Sequence, residues 1–379
     1  MKPTVLIVGA GVIGCSLAYE LTLRGAAVTI IDAAELSSGT SSATFAWVNA
    51  NEKPPAEYQQ LNVLGLRAHE RARRSRALGD ADWFHQTGNL QVAATDAEMR
   101  ALEKKVGRLT SNDYEATMLT RAEIEEFEPS IDSTGLKGGA LYPKEGWIDT
   151  IAMCTGLLKK ACESGAVFLP YQRVTELKPT GQVTVTSADG STRHYAADVT
   201  ILAAGNGNRP VLATLGVDFP THPSSDDGAA GTGNPTVGLI ATTGPVDTGI
   251  RHVIHAPGIS IRPARNGGVT FTDSPTGARW KPDDPRIWTV PGLLLDRART
   301  LYPALRNAST ETVALGTRVL PNDGVTISDW ITEKTSIYAI ATHSGVSLAA
   351  HLAEVVSDEV ITGERHESLR PFGLARFAS

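Results

Sequence analysis

Residues 5–14 read Val5-Leu6-Ile7-Val8-Gly9-Ala10-Gly11-Val12-Ile13-Gly14, and a second apolar run at 27–31 closes on Asp32. Between them, residues 15–24 have the composition of a helix. A strand, a G-x-G-x-x-G turn, a helix, a second strand and an acidic residue in that order match the cradle for the adenosine diphosphate half of a dinucleotide. Gly9 permits the tight turn off the strand, Gly11 lets a pyrophosphate approach bare backbone, and Gly14 lets the helix pack closely on the sheet. The amides that open the helix, at Val12 and Ile13, face the anion. Asp32, followed by Ala33, places a carboxylate where it accepts both ribose hydroxyls and repels a 2′-phosphate. FAD or NAD fits such a site, and NADP does not.

The 379 residues provide mass for two or three domains and can bury a large core. Hydrophobic and charged contents of 41% and 20% are those of an ordinary globular protein. A net charge of −6 offers no basic surface, so neither nucleic acid nor a membrane is an expected partner. The start runs directly into the first strand, leaving no room for a signal peptide, and no apolar stretch reaches the roughly eighteen residues of a membrane span. Cys15, Cys154 and Cys162 have neither CxxC nor metal-ligand spacing, and all lie in segments of helical composition. They read as buried, reduced thiols, which implies no metal and a cytoplasmic location. A homo-oligomer and an electron-transfer partner both stay open.

Beyond Asp32, Ser37-Ser38-Gly39-Thr40-Ser41-Ser42-Ala43 is small and hydroxyl-rich, suited to wrapping a cofactor, capping a helix or binding phosphate. Trp47 and Asn49 follow it and are candidates to line a cleft, with a tryptophan in the core an equal alternative. Residues 56–78 read as a helix whose His69, Arg71, Arg73, Arg74 and Arg76 form a solvated face. A strand at 88–93, an amphipathic helix at 95–111 and a short helix at 120–126 come next, the last opened by Thr120 with Glu123 three residues on. A strand at 138–142 precedes a helix that starts at Asp149 and ends near 164–165. Strands at 166–171, 173–178, 182–187 and 192–195 follow, with Asp189-Gly190 as a hairpin turn and Val174 on the second strand. The apolar run 198–202 ends in Ala203-Ala204-Gly205, which marks a buried parallel strand entering a second glycine turn.

From 220 to 291 the composition shifts to Gly, Pro and Thr with short β runs at 237–242, 251–255, 259–262 and 268–272. This segment reads as an antiparallel sheet inserted between two portions of the cofactor domain. Helices at 291–299 and 301–305 and a strand at 311–319 lead to an apolar strand at 336–341. That strand enters Thr342-His343-Ser344-Gly345 and a helix from 346 to about 361. The expected fold class is α/β (α+β overall): a Rossmann-like domain from 1–85, 140–218 and 311–379, and a mainly antiparallel β-sheet domain from 86–139 and 219–310. No Ser-His-Asp, Cys-His or paired-carboxylate constellation stands out, and the nine histidines are scattered singly.

Four signatures stand in order: the N-terminal βαβ unit, Ser38-Gly39-Thr40-Ser41-Ser42, Ile201-Leu202-Ala203-Ala204-Gly205, and the last strand with its His343-Ser344-Gly345 turn and helix. In this order the chain resembles the D-amino-acid oxidase family of flavoproteins, especially its glycine oxidase and sarcosine oxidase branch. The likeness covers essentially the whole chain, including the tail Leu369-Arg370-Pro371-Phe372 with Arg376-Phe377. It implies FAD rather than NAD, and the oxidation of a C–N bond in a small amine or amino acid. Hydride passes to flavin N5 from a carbon bearing a neutral amine, and the imine then hydrolyses. Such a site needs placement and desolvation more than a strong acid or base.

The resemblance further implies cofactor contacts from Gly9, Gly11, Val12, Ile13, Gly14, Asp32, Ala33, Ser38, Gly39, Thr40, Ser41, Ser42, Val174, Ala203, Ala204, Gly205, Arg318, His343, Ser344, Gly345, Val346 and Ser347. The last helix would turn its positive end toward the reduced flavin. Arg318 matches the carboxylate-binding arginine of glycine oxidase-like members, and with His343 is the expected catalytic pair. Trp47, Asn49, Arg251 and Arg262 join Arg318 as candidate substrate contacts. Gly316 stands where monomeric sarcosine oxidases bond FAD through cysteine, and Ala43 where related dehydrogenases bond it through histidine, so non-covalent FAD is expected. Thr270 stands near the oxygen-activating lysine of sarcosine oxidases, which points to slow reaction with oxygen. Alternatives keep the fold but oxidise an opine, a hydroxy acid or a pathway-specific amine with a partner electron acceptor. A non-catalytic flavin-binding subunit is a further one, given the unassertive Val346 and Ser347.

Overall fold

The structure, a computed structural model, describes residues 2–51, 53–79, 82–223, 236–277, 280, 283–331 and 336–378. Part of the Gly-, Pro- and Thr-rich segment, 224–235, therefore lies outside the described residues. Thr4–Val8 forms the centre of a six-stranded sheet ordered Ile327–Trp330, Ile337–Ala341, Val199–Leu202, Thr4–Val8, Ala27–Ile31 and Val167–Leu169. All neighbours run parallel except Ile327–Trp330, which lies antiparallel at one edge.

Parallel strands covered on both faces must be apolar on both, and alternate residues here serve two cores. Ile7 and Ile30 face the helices Val12–Leu23, Thr150–Glu163 and Gly345–Thr362, whereas Leu6, Val8 and Ile31 pack with Val183 and Val185 of an antiparallel meander. The helix Val12–Leu23 carries buried residues around most of its circumference because helices on either side enclose it.

The second large sheet has eight strands, ordered Thr310–Thr317, Val237–Thr243, Val269–Thr272, Ile259–Pro263, Val253–Ala256, Asn89–Ala93, Gly138–Tyr142 and Thr117–Thr120. It is antiparallel except where Val253–Ala256 runs parallel to Asn89–Ala93, joining segments far apart in the chain. One face, with Leu239, Ile261, Val269 and Phe271, packs on the helix Val290–Leu301. The opposite face carries Gly238, Ile240, Ser260, Thr272 and His255 and looks into a cleft. The strands Gly138–Tyr142 and Thr310–Thr317 belong to this sheet by their pairing, so the expected boundaries at 140 and 311 cut through sheet strands. A small antiparallel sheet of Trp47–Val48, Gly146–Ile148 and Phe84–His85 lies between the two larger ones in sequence.

Local signals hold at several helix ends. Thr95 with Glu98, and Thr120 with Glu123, form reciprocal capping boxes, and the Asp149 side chain accepts from the Ala152 amide at the start of Thr150–Glu163. Three expectations change. The helix expected at 56–78 ends at Arg74, because Arg76 takes a positive φ of 52° that α-helix excludes. His69 is not on a solvated face: it follows Leu61, Gly65 and Leu66 at helical spacing on the buried side, and its Nε2 lies 2.8 Å from the Val346 carbonyl oxygen. Cys162 is exposed in the last turn of its helix, while Cys15 and Cys154 are buried.

Candidate active site

A cleft of about 1260 Å³ runs from Asp32 and Val174 at one end to Arg318 and His343 at the other. Ordinary small-molecule pockets occupy about 300–1,000 Å³. Both glycine turns open onto it because both follow the carboxyl ends of adjacent parallel strands, where ligands of such sheets bind.

At the nucleotide end the fit is steric. Gly9 has φ of +111°, and a Cβ there would stand 2.5 Å from the Ala203 carbonyl oxygen. A Cβ at Gly14 would stand 1.9 Å from the Gly9 carbonyl oxygen, so this glycine serves helix packing and does not line the cleft. The helix Val12–Leu23 receives no cap from its own N-cap residue, Gly11. Instead the Ser41 hydroxyl, brought in by the hydroxyl-rich loop, accepts from the Val12 amide at 3.1 Å. Asp32 is fixed by the amides of Ala10 at 2.7 Å and Ala34 at 2.9 Å, one to each carboxylate oxygen. Ala33, Ser38, Gly39, Thr40, Ser42, Val174, Ala203, Ala204 and Gly205 complete this wall, where the buried Asn206 Oδ1 has no protein partner.

The other end gathers the last helix and the antiparallel sheet. Gly345–Thr362 starts without a side-chain cap, so the first-turn amides around Gly345, Val346 and Ser347 present partial positive charge where they line the cleft. Tyr58 holds the Ser344 hydroxyl at 2.9 Å, and the Ser347 hydroxyl accepts from the Asn49 amide at 3.2 Å. His343 presents its ring to the cleft lumen, so it is accessible although the cleft walls enclose it. That enclosure, with Lys53 and Arg318 adding positive charge, takes it down to about 4 and keeps it neutral at pH 7.

Arg318 follows the strand Thr310–Thr317, and its guanidinium donates to the Val237 carbonyl at 2.7 Å and the Ser274 hydroxyl at 3.0 Å. It lies over Gly238, where the missing side chain leaves room. Burial lowers its pKa from a value high enough that it stays charged. Trp47 and Asn49 both line the cleft, and the Asn49 Oδ1 is buried without a protein partner. Arg251 and Arg262 do not. Arg251 is exposed before its strand begins, and the buried Arg262 donates to the carbonyls of Phe45 and Pro263 and lies over the Trp147 ring. Its polar hydrogens brace the loop, and burial takes its pKa to about 10.

Four contributors escape the sequence: Lys53, Asn89, Glu145 and His255. Lys53 and His255 line the cleft. Glu145 is completely buried and accepts from Tyr114 Oη at 2.5 Å and, at 3.0 Å each, from Trp47 Nε1, Asn51 Nδ2 and Asn89 Nδ2. Burial raises its carboxyl to about 7, with Tyr114, Asn89, nearby Lys105 and Trp47 holding it down. His255 bonds through Nδ1 to Asn89 Oδ1 at 2.9 Å, and its ring centroid lies 4.1 Å from that of Trp47. Two-residue alternation on Val253–Ala256 was the available signal for its direction; the partner strand was not readable.

Comparison with known proteins agrees with this architecture. An opine oxidase chain of Agrobacterium tumefaciens (strain Ach5) is 25% identical, with 98% of this chain and 96% of that protein covered. The crystal structure of glycine oxidase from Geobacillus kaustophilus superposes with a TM-score of 0.84 at 22% identity, covering 99% of each chain. Iminodiacetate oxidase from Chelativorans sp. BNC1 superposes with a TM-score of 0.78 at 20% identity, covering 97% of this chain and 98% of the other. The sequence profile of the family described as FAD dependent oxidoreductase (DAO) matches residues 4–359, and with the glycine cradle and two helix starts on one cleft, the chain belongs to that family.

Proposed function

We propose that this protein oxidises the C–N bond of a small amino acid or amine bearing a carboxylate, using non-covalently held FAD. The observation that carries the reading is the convergence of Arg318, neutral His343 and the uncapped start of Gly345–Thr362 at one end of a cleft whose other end is a dinucleotide cradle. Bound FAD would supply the hydride acceptor, held by the glycine turns, Asp32, the 38–42 loop and the 343–347 turn. Arg318 would take the substrate carboxylate in a bidentate pair, placing the amine-bearing carbon. The helix start would favour negative charge at its end of the cleft. His343 would act as a neutral polar contact rather than as an acid.

In this reading residues 1–85, 140–218 and 311–379 form the FAD-binding part and 86–139 and 219–310 the substrate-binding part, with strands 138–142 and 310–317 joining the latter's sheet. Non-covalent binding is supported by the packing of Gly316 against Ala43, the two positions at which relatives would carry a linking residue. Thr270 shares its hydroxyl with Thr242 at 3.1 Å and brings no ammonium to the cleft, which supports slow reaction with oxygen and a separate electron acceptor. The compartment in this reading is the cytoplasm; no helix of the described residues is long and apolar enough to cross a membrane.

A second reading is favoured by the full-length likeness to a protein named for opine oxidation. It takes as substrate a secondary amine carrying two carboxylates, the chemistry of an opine. Anaerobic mixing of the purified flavoprotein with a panel of amino acids, N-alkyl amino acids, N-carboxyalkyl amino acids and hydroxy acids tests both. Bleaching of the flavin by amino acids supports the first reading, and selective bleaching by dianionic secondary amines supports the second. Bleaching by dithionite alone would overturn both.

A further inference from the structure

The peptide unit that joins Thr317 to Arg318 is held at both of its polar atoms. Its carbonyl oxygen, on Thr317, accepts from the Thr40 hydroxyl at 2.6 Å and from Asn206 Nδ2 at 3.1 Å. A carbonyl oxygen has two lone pairs, so these two donors satisfy it. Its N–H, on Arg318, donates to the Thr236 carbonyl at 2.5 Å. A peptide unit is planar, so bonds at its two opposite edges fix its orientation and with it the direction in which the Arg318 side chain leaves the backbone. The guanidinium then reaches the carbonyl of Val237, next in sequence to Thr236, and the Ser274 hydroxyl.

Thr40 and Asn206 belong to the two loops of the nucleotide wall, residues 38–43 and 203–207, and both line the cleft together with Arg318. Thr40, expected from the sequence as a cofactor contact, donates its hydroxyl to the substrate side of the cleft instead. Neighbouring positions repeat the contact. A Cβ at Gly316 would stand 2.6 Å from the Ala43 carbonyl oxygen, and a Cβ at Gly205, with φ of +58°, would stand 3.2 Å from Val319 Cγ2. Residues 316, 317 and 319 therefore rest on the cofactor loops, while the side chain of 318 is bonded to Val237 and Ser274. The 38–43 loop is built from turns, with the Ser42 amide on the Gly39 carbonyl at 3.1 Å and the Ala43 amide on the Thr40 carbonyl at 3.2 Å, and has no strand or helix of its own. Its position depends on what it touches.

We propose that Thr40 and Asn206 are positioning residues for Arg318, acting through the Thr317 carbonyl, so that FAD in the cleft and a carboxylate on Arg318 strengthen each other's binding. The proposal rests on the reading of Arg318 as the carboxylate site. FAD lying against the two loops favours one placement of the peptide unit between Thr317 and Arg318, and a carboxylate on the guanidinium favours the same one. Two ligands that select one arrangement of a shared element are coupled, and the coupling is equal in both directions.

The probe is acetate, which has a carboxylate and no C–N bond, with chloride at equal ionic strength as the control. Acetate affinity is read from the flavin spectrum of the holoenzyme, and FAD affinity from flavin fluorescence as the holoenzyme is diluted. In the wild type, saturating acetate should lower the FAD dissociation constant about 5-fold or more. Thr40→Ser, which keeps the hydroxyl, should behave as the wild type. Thr40→Val, which keeps the shape and loses the donor, and Asn206→Ala should each weaken acetate by about 3- to 10-fold and shrink its effect on FAD. Unchanged acetate binding in Thr40→Val, or a Thr40→Ser variant that loses as much as Thr40→Val, would overturn the proposal. If Thr40→Val did not fold, the wild type alone decides: an FAD dissociation constant indifferent to saturating acetate would overturn it. Should the wild type not bind acetate, or Arg318→Ala bind it as tightly as the wild type, the carboxylate reading fails and the proposal with it. That outcome is distinct from Arg318→Ala losing acetate while Thr40→Val retains it.

Discussion

Gly316 and Ala43 touch across the cleft wall: a Cβ at 316 would stand 2.6 Å from the Ala43 carbonyl oxygen and 2.9 Å from its Cβ. The resemblance drawn from the sequence implies a flavin-bonding residue at each of these positions in covalent flavoproteins, and here the two fill each other's space. Gly316→Cys therefore should not create a flavin link. Overpacking against backbone costs about 1–3 kcal/mol, so this variant should melt lower and retain less FAD. Acid precipitation separates the possibilities: yellow colour should stay in the supernatant for wild type and variant alike, and a yellow pellet would contradict non-covalent binding.

Arg318→Ala should weaken carboxylate-bearing ligands selectively. Losing charge-assisted hydrogen bonds costs about 1.5–3 kcal/mol, roughly 10- to 150-fold in apparent affinity. Flavin content should not change, because the guanidinium is anchored on the Val237 carbonyl and Ser274. Spectral titration with amino acids and with amines lacking a carboxylate makes the comparison, and equal losses for both classes would remove Arg318 from carboxylate recognition.

His69 predicts a loss of stability in mild acid. It is completely buried, and burial, partly offset by its bond to the Val346 carbonyl, takes it from an ordinary 6.5 to about 4. The unfolded chain thus binds a proton at a pH where the folded one does not. The neutral histidine's contribution is fully present above pH 6.5 and is lost as pH falls toward 4, by up to about 3 kcal/mol. Denaturant melts from pH 7.5 to 4 should show that slope, and His69→Gln should flatten it. An unchanged slope in the variant assigns the acid sensitivity elsewhere.

Gly65→Ala should disturb the cofactor from a distance. A Cβ at 65 would lie 2.3 Å from the Ser347 carbonyl oxygen, so the helix Ala56–Arg74 and the start of Gly345–Thr362 would have to part. Displacing those first-turn amides should weaken FAD retention during dialysis and lower the melting temperature. Retention equal to wild type would show that the helix start tolerates movement.

What the chain made legible follows the range of the forces involved. The cradle at 5–14, the capping boxes at Thr95 and Thr120 and the apolar strands 199–202 and 337–341 depend on neighbours in sequence, and they stand where their patterns place them. Arg318 was readable as a candidate only through the resemblance to glycine oxidase-like members, which implies a carboxylate-binding arginine on the expected strand 311–319. Arg251 and Arg262 were readable only as arginines on β runs; which way each faces is decided by strand ends and by Phe45 and Trp147, far away in the chain. The chain from Glu145 through Asn89 to His255 was illegible because it exists only once Val253–Ala256 pairs parallel with Asn89–Ala93. Non-local pairing of that kind leaves no local trace.

The strand order of the six-stranded sheet bears on the protein's synthesis. Thr4–Val8 pairs with Val199–Leu202, and that strand is flanked in turn by Ile337–Ala341, whose helix forms the far wall of the cleft. The nucleotide cradle leaves the ribosome well before its closing wall, which follows only beyond residue 336, so flavin capture should wait for that later segment. A truncation that spares every glycine of the first motif but removes residues beyond 336 should accumulate as apoprotein, exposing an unpaired edge at Val199–Leu202 to chaperones and proteases.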